Sequence, residues 1–188
     1  MSRAYRIAIT EQLRRHIQVD DGVSSKIEVL PILPTERMGE LLGAQLEERG
    51  FKREGGKAVR KEANGVEVSV DLKTGALDVT AKASQEVDIA TERAGVITNK
   101  EQEQAATEQL RSAAKADLEE RAAAHKGKLS REVAAALEAR LKDLRGELDE
   151  VVNKVTANAL KERASQLGTI EEIHEDAATG SLTIKVKV

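Results

Sequence analysis

Along the first residues, Tyr5, Ile7 and Ile9 alternate with Arg6 and Ala8, the two-residue period of a half-buried strand. Asp20-Asp21-Gly22 reads as a turn, and Lys26 to Leu33 as a strand pairing back antiparallel, limited by Pro31 and Pro34. The period then changes. Thr35 is a suitable N-cap with Glu36 in the first turn, and Met38, Leu41, Leu42 and Leu46 recur at helical spacing up to a stop at Gly50. Gly39 and Gly43 lie four apart on that helix, which predicts close approach of helix to sheet. From Phe51 the chain is strand-like again. Lys57 to Glu62 and Val66, Val68 and Val70 flank Asn64-Gly65, the favoured two-residue hairpin turn. Asp71 to Gly75 makes the next turn. Leu77, Val79 and Ala81 alternate along a further strand, which Val87 and Ile89 could extend.

The next seventy residues are rich in Ala, Glu, Lys, Arg and Leu. Thr98-Asn99-Lys100-Glu101 fits a capping box opening a first long helix to about His125, with an alanine-rich seam of Ala106, Leu110, Ala113 and Leu118. Gly127 is read as its end and Ser130 as the cap of a second helix. That helix carries Leu129, Val133, Leu137, Leu141, Leu144, Leu148, Val151 and Val155 in steps of three or four residues. Glu138 with Lys142 and Glu150 with Lys154 are acid-before-base pairs, and Gly146 marks a bend. The pairing expected is an antiparallel helical hairpin, coiled-coil-like, with the eight aliphatic residues as its packing or interaction seam. Past Gly168, Ile170 to His174 and Ser181 to Val188 read as a closing strand pair.

The expected fold is therefore α+β: a small antiparallel sheet with one packed helix, and a long helical hairpin inserted before the C-terminal strands. Residues 1–97 and 168–188 would form the sheet body, and 98–167 the arm.

Composition narrows the function. Charged residues make up 34% of the 188-residue chain, with acids and bases nearly balanced at a net charge of −3, so no general attraction to phosphate backbones is expected. Aromatic residues are 1%, Tyr5 and Phe51, which leaves few rings for base stacking. Cysteine is absent, which excludes thiol catalysis and thiolate metal sites. With no apolar run of signal-peptide or membrane-spanning type, the expectation is a soluble cytoplasmic protein with no membrane partner.

Candidate chemistry is sparse. Asp-x-x-Thr-Gly occurs at Asp71–Gly75 and again at Asp176–Gly180. Its simpler reading is a turn in which Asp binds backbone N–H groups and Gly supplies positive φ. Glu172, His174 and Asp176 would share one face of a strand and could hold a divalent metal; the simpler reading is a solvated acidic strand end. Arg14-Arg15-His16 and Lys52, Arg53, Lys57, Arg60 and Lys61 form local basic patches, read chiefly as sheet-edge protection. No catalytic residue, cofactor or metal ligand is predicted.

The stretch from Met38 to Lys82 runs from a helix through "ERGFKREGGKAVRKEANGVEVSVDLKTGALDVTAK", with Gly50-Phe51 at the helix exit and an Asn64-Gly65 turn. It resembles the small partner proteins of FtsH-type AAA+ ATPases and von Willebrand A-domain proteins, the FtsH ternary systems. Gly168 to Val188 resembles the short strand-turn-strand proteins of the same neighbourhoods. The resemblance implies a non-enzymatic component working with a AAA+ machine and carries no site residues.

The leading expectation is an adaptor or scaffold docking protein partners through the helical arm, with possible homo-oligomerisation. The alternatives are a small-ligand-binding domain or enzyme with a pocket between sheet and arm, and a nucleic-acid-binding accessory factor.

Overall fold

The computed structural model describes residues 5–62, 64–98, 103–176 and 181–187. The element order is β1 (Tyr5–Lys26), α1 (Thr35–Glu47), β2 (Lys52–Glu54), β3 (Lys57–Lys61), β4 (Val66–Asp71), β5 (Ala76–Ile97), α2 (Glu103–Leu167), β6 (Thr169–Asp176) and β7 (Ser181–Lys187). Five strands form one antiparallel sheet in the order β1-β5-β4-β3-β2, and β6 pairs with β7 in a second sheet. The α+β class, the small antiparallel sheet, its packed helix and the C-terminal strand pair are all present.

The helical hairpin is not. Residues 103–167 form one α-helix of 65 residues, and Gly127 and Gly146 lie inside it with open space where a Cβ would go. Glycine lowers helix stability by only about 1 kcal/mol, so it ends a helix only where the alternative packs better. Asn99, Lys100 and Glu101 of the expected capping box lie outside the described residues.

The helix also has a different mate from the one expected. Its buried positions include Leu118 and Ala122, then Leu129, Val133 and Leu137, then Leu144 and Leu148, then Val151, Val155 and Ala159. The groups repeat every 11 residues rather than every seven, as Leu118, Leu129 and then Ala122, Val133, Leu144, Val155 show. At about 3.67 residues per turn such a stripe departs from the left-handed twist of a heptad seam. It suits a helix laid on a sheet.

Two compact units can be distinguished: Met1–Asp21 with Lys82–Ala135, and Gly22–Ala81 with Ala136–Val188. In the first, Ile17 of β1, Val87 and Ile89 of β5 and Leu118, Ala122 and Leu129 of α2 form one buried cluster, with Leu13, Val19 and Ala83 packed against it.

In the second unit every other residue of β4 (Val66, Val68, Val70) is buried, as are Leu77, Val79 and Ala81 of β5 and Leu42 and Leu46 of α1. An added Cβ at Gly39 would lie 2.8 Å from the Leu72 carbonyl oxygen, so the close approach of α1 there is to the turn between β4 and β5. The helix starts at Thr35 with Pro34 in the N-cap place, and no side chain caps it. It ends in a Schellman motif: Phe51 N donates to Leu46 O at 3.1 Å and Gly50 N to Glu47 O at 3.0 Å, with Gly50 at φ +83°.

Two other turn expectations change. β1 runs straight through Asp20-Asp21-Gly22. At Gly22 a Cβ would sit 3.1 Å from Thr80 Cγ2 and 3.2 Å from Val79 O, so the glycine marks tight strand approach rather than a bend. Residues 27–34 leave the sheet; Ile27 N donates instead to Gly75 O at 2.8 Å. The β3–β4 connection spans residues 62–65 rather than two, with Glu62 N donating to Val66 O at 2.8 Å and Gly65 at φ +79°.

Candidate functional site

The densest polar arrangement lies in the second unit. Arg60 on β3 donates from Nη1 to Glu147 Oε1 at 2.6 Å and from Nη2 to Glu147 Oε2 at 2.9 Å. Arg140, seven positions earlier on α2, donates from Nη2 to Glu147 Oε2 at 3.0 Å and from Nε to Glu62 Oε1 at 2.8 Å. Arg60 Nη1 also reaches the Arg49 carbonyl at 2.9 Å, and its guanidinium carbon stands 4.4 Å from the Phe51 ring centroid. Arg49 continues the network to Glu150 at 2.7 Å and to the Glu147 carbonyl at 3.2 Å. Arg60 Nε is buried without a hydrogen-bond partner, 3.4 Å from Glu62 Oε1.

Hydrogen bonding by Arg60, with a further contribution from Arg140 and against the opposing effect of burial, holds the Glu147 carboxyl down to about 2. The Arg60 guanidinium is raised in turn, first by the Glu147 hydrogen bond. A carboxylate held so firmly ionised is a poor proton carrier near neutrality. The arrangement is a clasp between β3, the end of α1 and the middle of α2.

Sequence reading missed this clasp. The available signal was Arg140, which stands on the aliphatic stripe, one helical step before Leu144, where a lone charge would be costly without a partner.

A second set of ion pairs holds α2 in the first unit. Thr91 Oγ1 donates to Asp117 Oδ2 at 2.7 Å, and this bond, more than the Arg121 and Arg93 charges, lowers the Asp117 pKa. Arg15 grips Glu119 through two bonds of 2.8 and 2.6 Å, and Arg111 Nε donates to Glu11 at 3.0 Å.

Of the eight predicted seam residues, Leu129, Val133, Leu137, Leu144, Leu148, Val151 and Val155 are buried within the chain and Leu141 is half-buried. Leu141, Leu144 and Leu148 line a cleft of about 570 Å³ with Val152, Ile27 and Leu77, rimmed by Lys26, Glu28, Arg145 and Asp149.

The basic patches are largely neutralised. Arg14 pairs with Asp88 at 3.0 Å, Arg53 with Glu47 at 2.9 Å and Lys61 with Glu67 at 3.7 Å. Asp71 Oδ1 accepts from Lys73 N, Thr74 N and Thr74 Oγ1 at 3.0, 2.7 and 2.8 Å, with Gly75 at φ +73°: the turn chemistry expected. Residues 177–180 of its second copy lie outside the described residues. Glu172 is engaged by Lys185, beside His174 and Thr183.

These features define a class: an α+β protein with an antiparallel sheet and one long helix, which ionic clasps fasten within each unit. The chain belongs to the family FtsH ternary system domain X5, which matches it over residues 1–188. The family is a component of an FtsH ternary system, in line with the resemblance of the Met38–Lys82 and Gly168–Val188 stretches. Neither curated proteins nor solved structures gave a match. No helix among the described residues is long and apolar enough to cross a membrane.

Proposed function

We propose that this protein is a non-enzymatic adaptor of its FtsH ternary system that docks a segment of the AAA+ protein of that system along α2. The observation that carries the reading is the cleft beside Leu141, Leu144, Leu148 and Val152. Most of the α2 stripe is consumed inside the fold, but here aliphatic side chains border open space between charges of both signs. An apolar floor with a rim of both signs suits an amphipathic protein segment better than a polyanion or a metal ion. Membership of an FtsH ternary system family supports a partner from the same system.

Val152 is half-buried and Arg145 exposed, so both can be changed without opening the core. The test is co-elution of the purified AAA+ protein with the wild type and with Val152→Glu and Arg145→Glu variants. The reading expects a loss of co-elution at unchanged melting temperature. Equal co-elution by all three proteins would exclude this cleft.

A further inference from the structure

β1 is an end strand of the five-stranded sheet, so its outer edge presents main-chain donors and acceptors that no other strand of the described residues pairs. Natural edges are usually short or interrupted by proline or bulges. This one runs for 22 residues without a proline. What distinguishes it is the order of its side chains.

We infer that β1 pairs antiparallel with β1 of a second copy of this chain about a two-fold axis through Leu13. In that register Arg6 stands opposite Asp20, Ile7 opposite Val19, Ile9 opposite Ile17, Glu11 opposite Arg15 and Leu13 opposite itself. Every charged pair of opposite sign is formed twice by the symmetry, and no like charges face one another. Directly opposed residues share a face of an antiparallel sheet, so only shifts of two residues keep the faces aligned. Moving the axis to residue 12 sets Glu11 against Leu13 and Arg15 against Ile9. Moving it to residue 14 sets Arg14 against itself and Arg15 against Leu13. Charge complementarity therefore favours the axis at Leu13 over both neighbouring registers.

The odd-numbered face is already anchored on α2: Leu13, Ile17 and Val19 pack on its core, Glu11 binds Arg111 and Arg15 binds Glu119. Pairing would join these into an alternating row of Arg111, Glu11, the partner copy's Arg15 and its Glu119. This homotypic contact uses a different surface from the α2 cleft and does not rest on the adaptor reading.

The chain has no cysteine, so single cysteines report copy-to-copy contacts alone. Light scattering across concentrations, with mild oxidation of Leu13→Cys and of Ala8→Cys, tests the register. The expected result is a dimer whose Leu13→Cys variant cross-links rapidly while Ala8→Cys, several residues from its own symmetry mate, does not. Arg6→Glu alone should weaken the dimer roughly tenfold or more by setting carboxylates opposite Asp20, and adding Asp20→Arg should restore it. These exposed changes leave the core untouched, so the rescue is readable even where Leu13→Cys folds poorly. A monomer at all concentrations would overturn the inference, as would equal cross-linking at both positions or no rescue by the double exchange.

Discussion

Arg60 and Glu147 are 87 positions apart in sequence and meet through two parallel hydrogen bonds of 2.6 and 2.9 Å, joining β3 to the middle of α2. Both side chains are less than one-fifth exposed, so the pair is screened far less than a surface ion pair. Its geometry is the bidentate fork that makes arginine–carboxylate pairs directional as well as strong.

The depressed Glu147 carboxyl makes stability depend on acid. Its pKa falls from an ordinary 4.5 to about 2 in the folded chain. The stabilisation is complete above the unfolded value and is lost as pH falls from about 4.5 toward 2. Its size is on the order of 3 kcal/mol. Glu147→Gln leaves two guanidinium groups partly buried with weaker partners, and should cost about 3 kcal/mol at pH 7. Urea denaturation across pH should show that deficit closing below pH 4; a constant deficit would contradict the assignment.

Gly127 and Gly146 sit in mid-helix with nothing within 4 Å of a Cβ position. Gly127→Ala and Gly146→Ala should each raise stability by about 0.5–1 kcal/mol. A chain break at Gly127 with positive φ would give the opposite sign, so thermal melts of the two variants distinguish helix from turn.

Gly75 has φ +73°, and its Cβ position lies 2.5 Å from the Ile27 carbonyl oxygen. Gly75→Ala should therefore lower stability by roughly 1–3 kcal/mol, through both backbone conformation and the clash. Gly55 also has positive φ but open space around it, so Gly55→Ala should cost less. Chemical denaturation of the pair separates the steric from the conformational contribution.

Leu144 is 1% exposed whereas Leu141, one helical step away, is half-buried at the cleft. Leu144→Ala should cost about 2–5 kcal/mol, and Leu141→Ala markedly less. Equal losses would mean that the cleft is closed in solution.

Much of this fold was legible in residue patterns. The Val66, Val68, Val70 alternation, the Gly50 stop and the Asp71–Gly75 turn each express a local rule, and each appears where the rule puts it. What local rules cannot reach is the identity of a helix's mate. The eight seam residues between Leu129 and Val155 are buried except for half-buried Leu141, yet Gly127 invited a chain reversal that the packing does not make. Ile17, Val87 and Ile89, far away in sequence, supply the mate for Leu118, Ala122 and Leu129. Asp20-Asp21-Gly22 misled for the same reason, because the need at Gly22 is room beside Thr80. The ionic clasp was hidden because Arg60, Arg140 and Glu147 each look like ordinary surface charges until the sheet and helix meet.

The continuity of α2 is tested directly by the distance between spin labels at Ser112→Cys and Ala135→Cys. Both positions are exposed, and the chain has no other cysteine. An unbroken helix separates their backbones by about 35 Å, at ~1.5 Å per residue. A pulsed dipolar distance near that value is the predicted result, whereas a distance below about 20 Å, as two antiparallel helices folded at Gly127 would give, would contradict it.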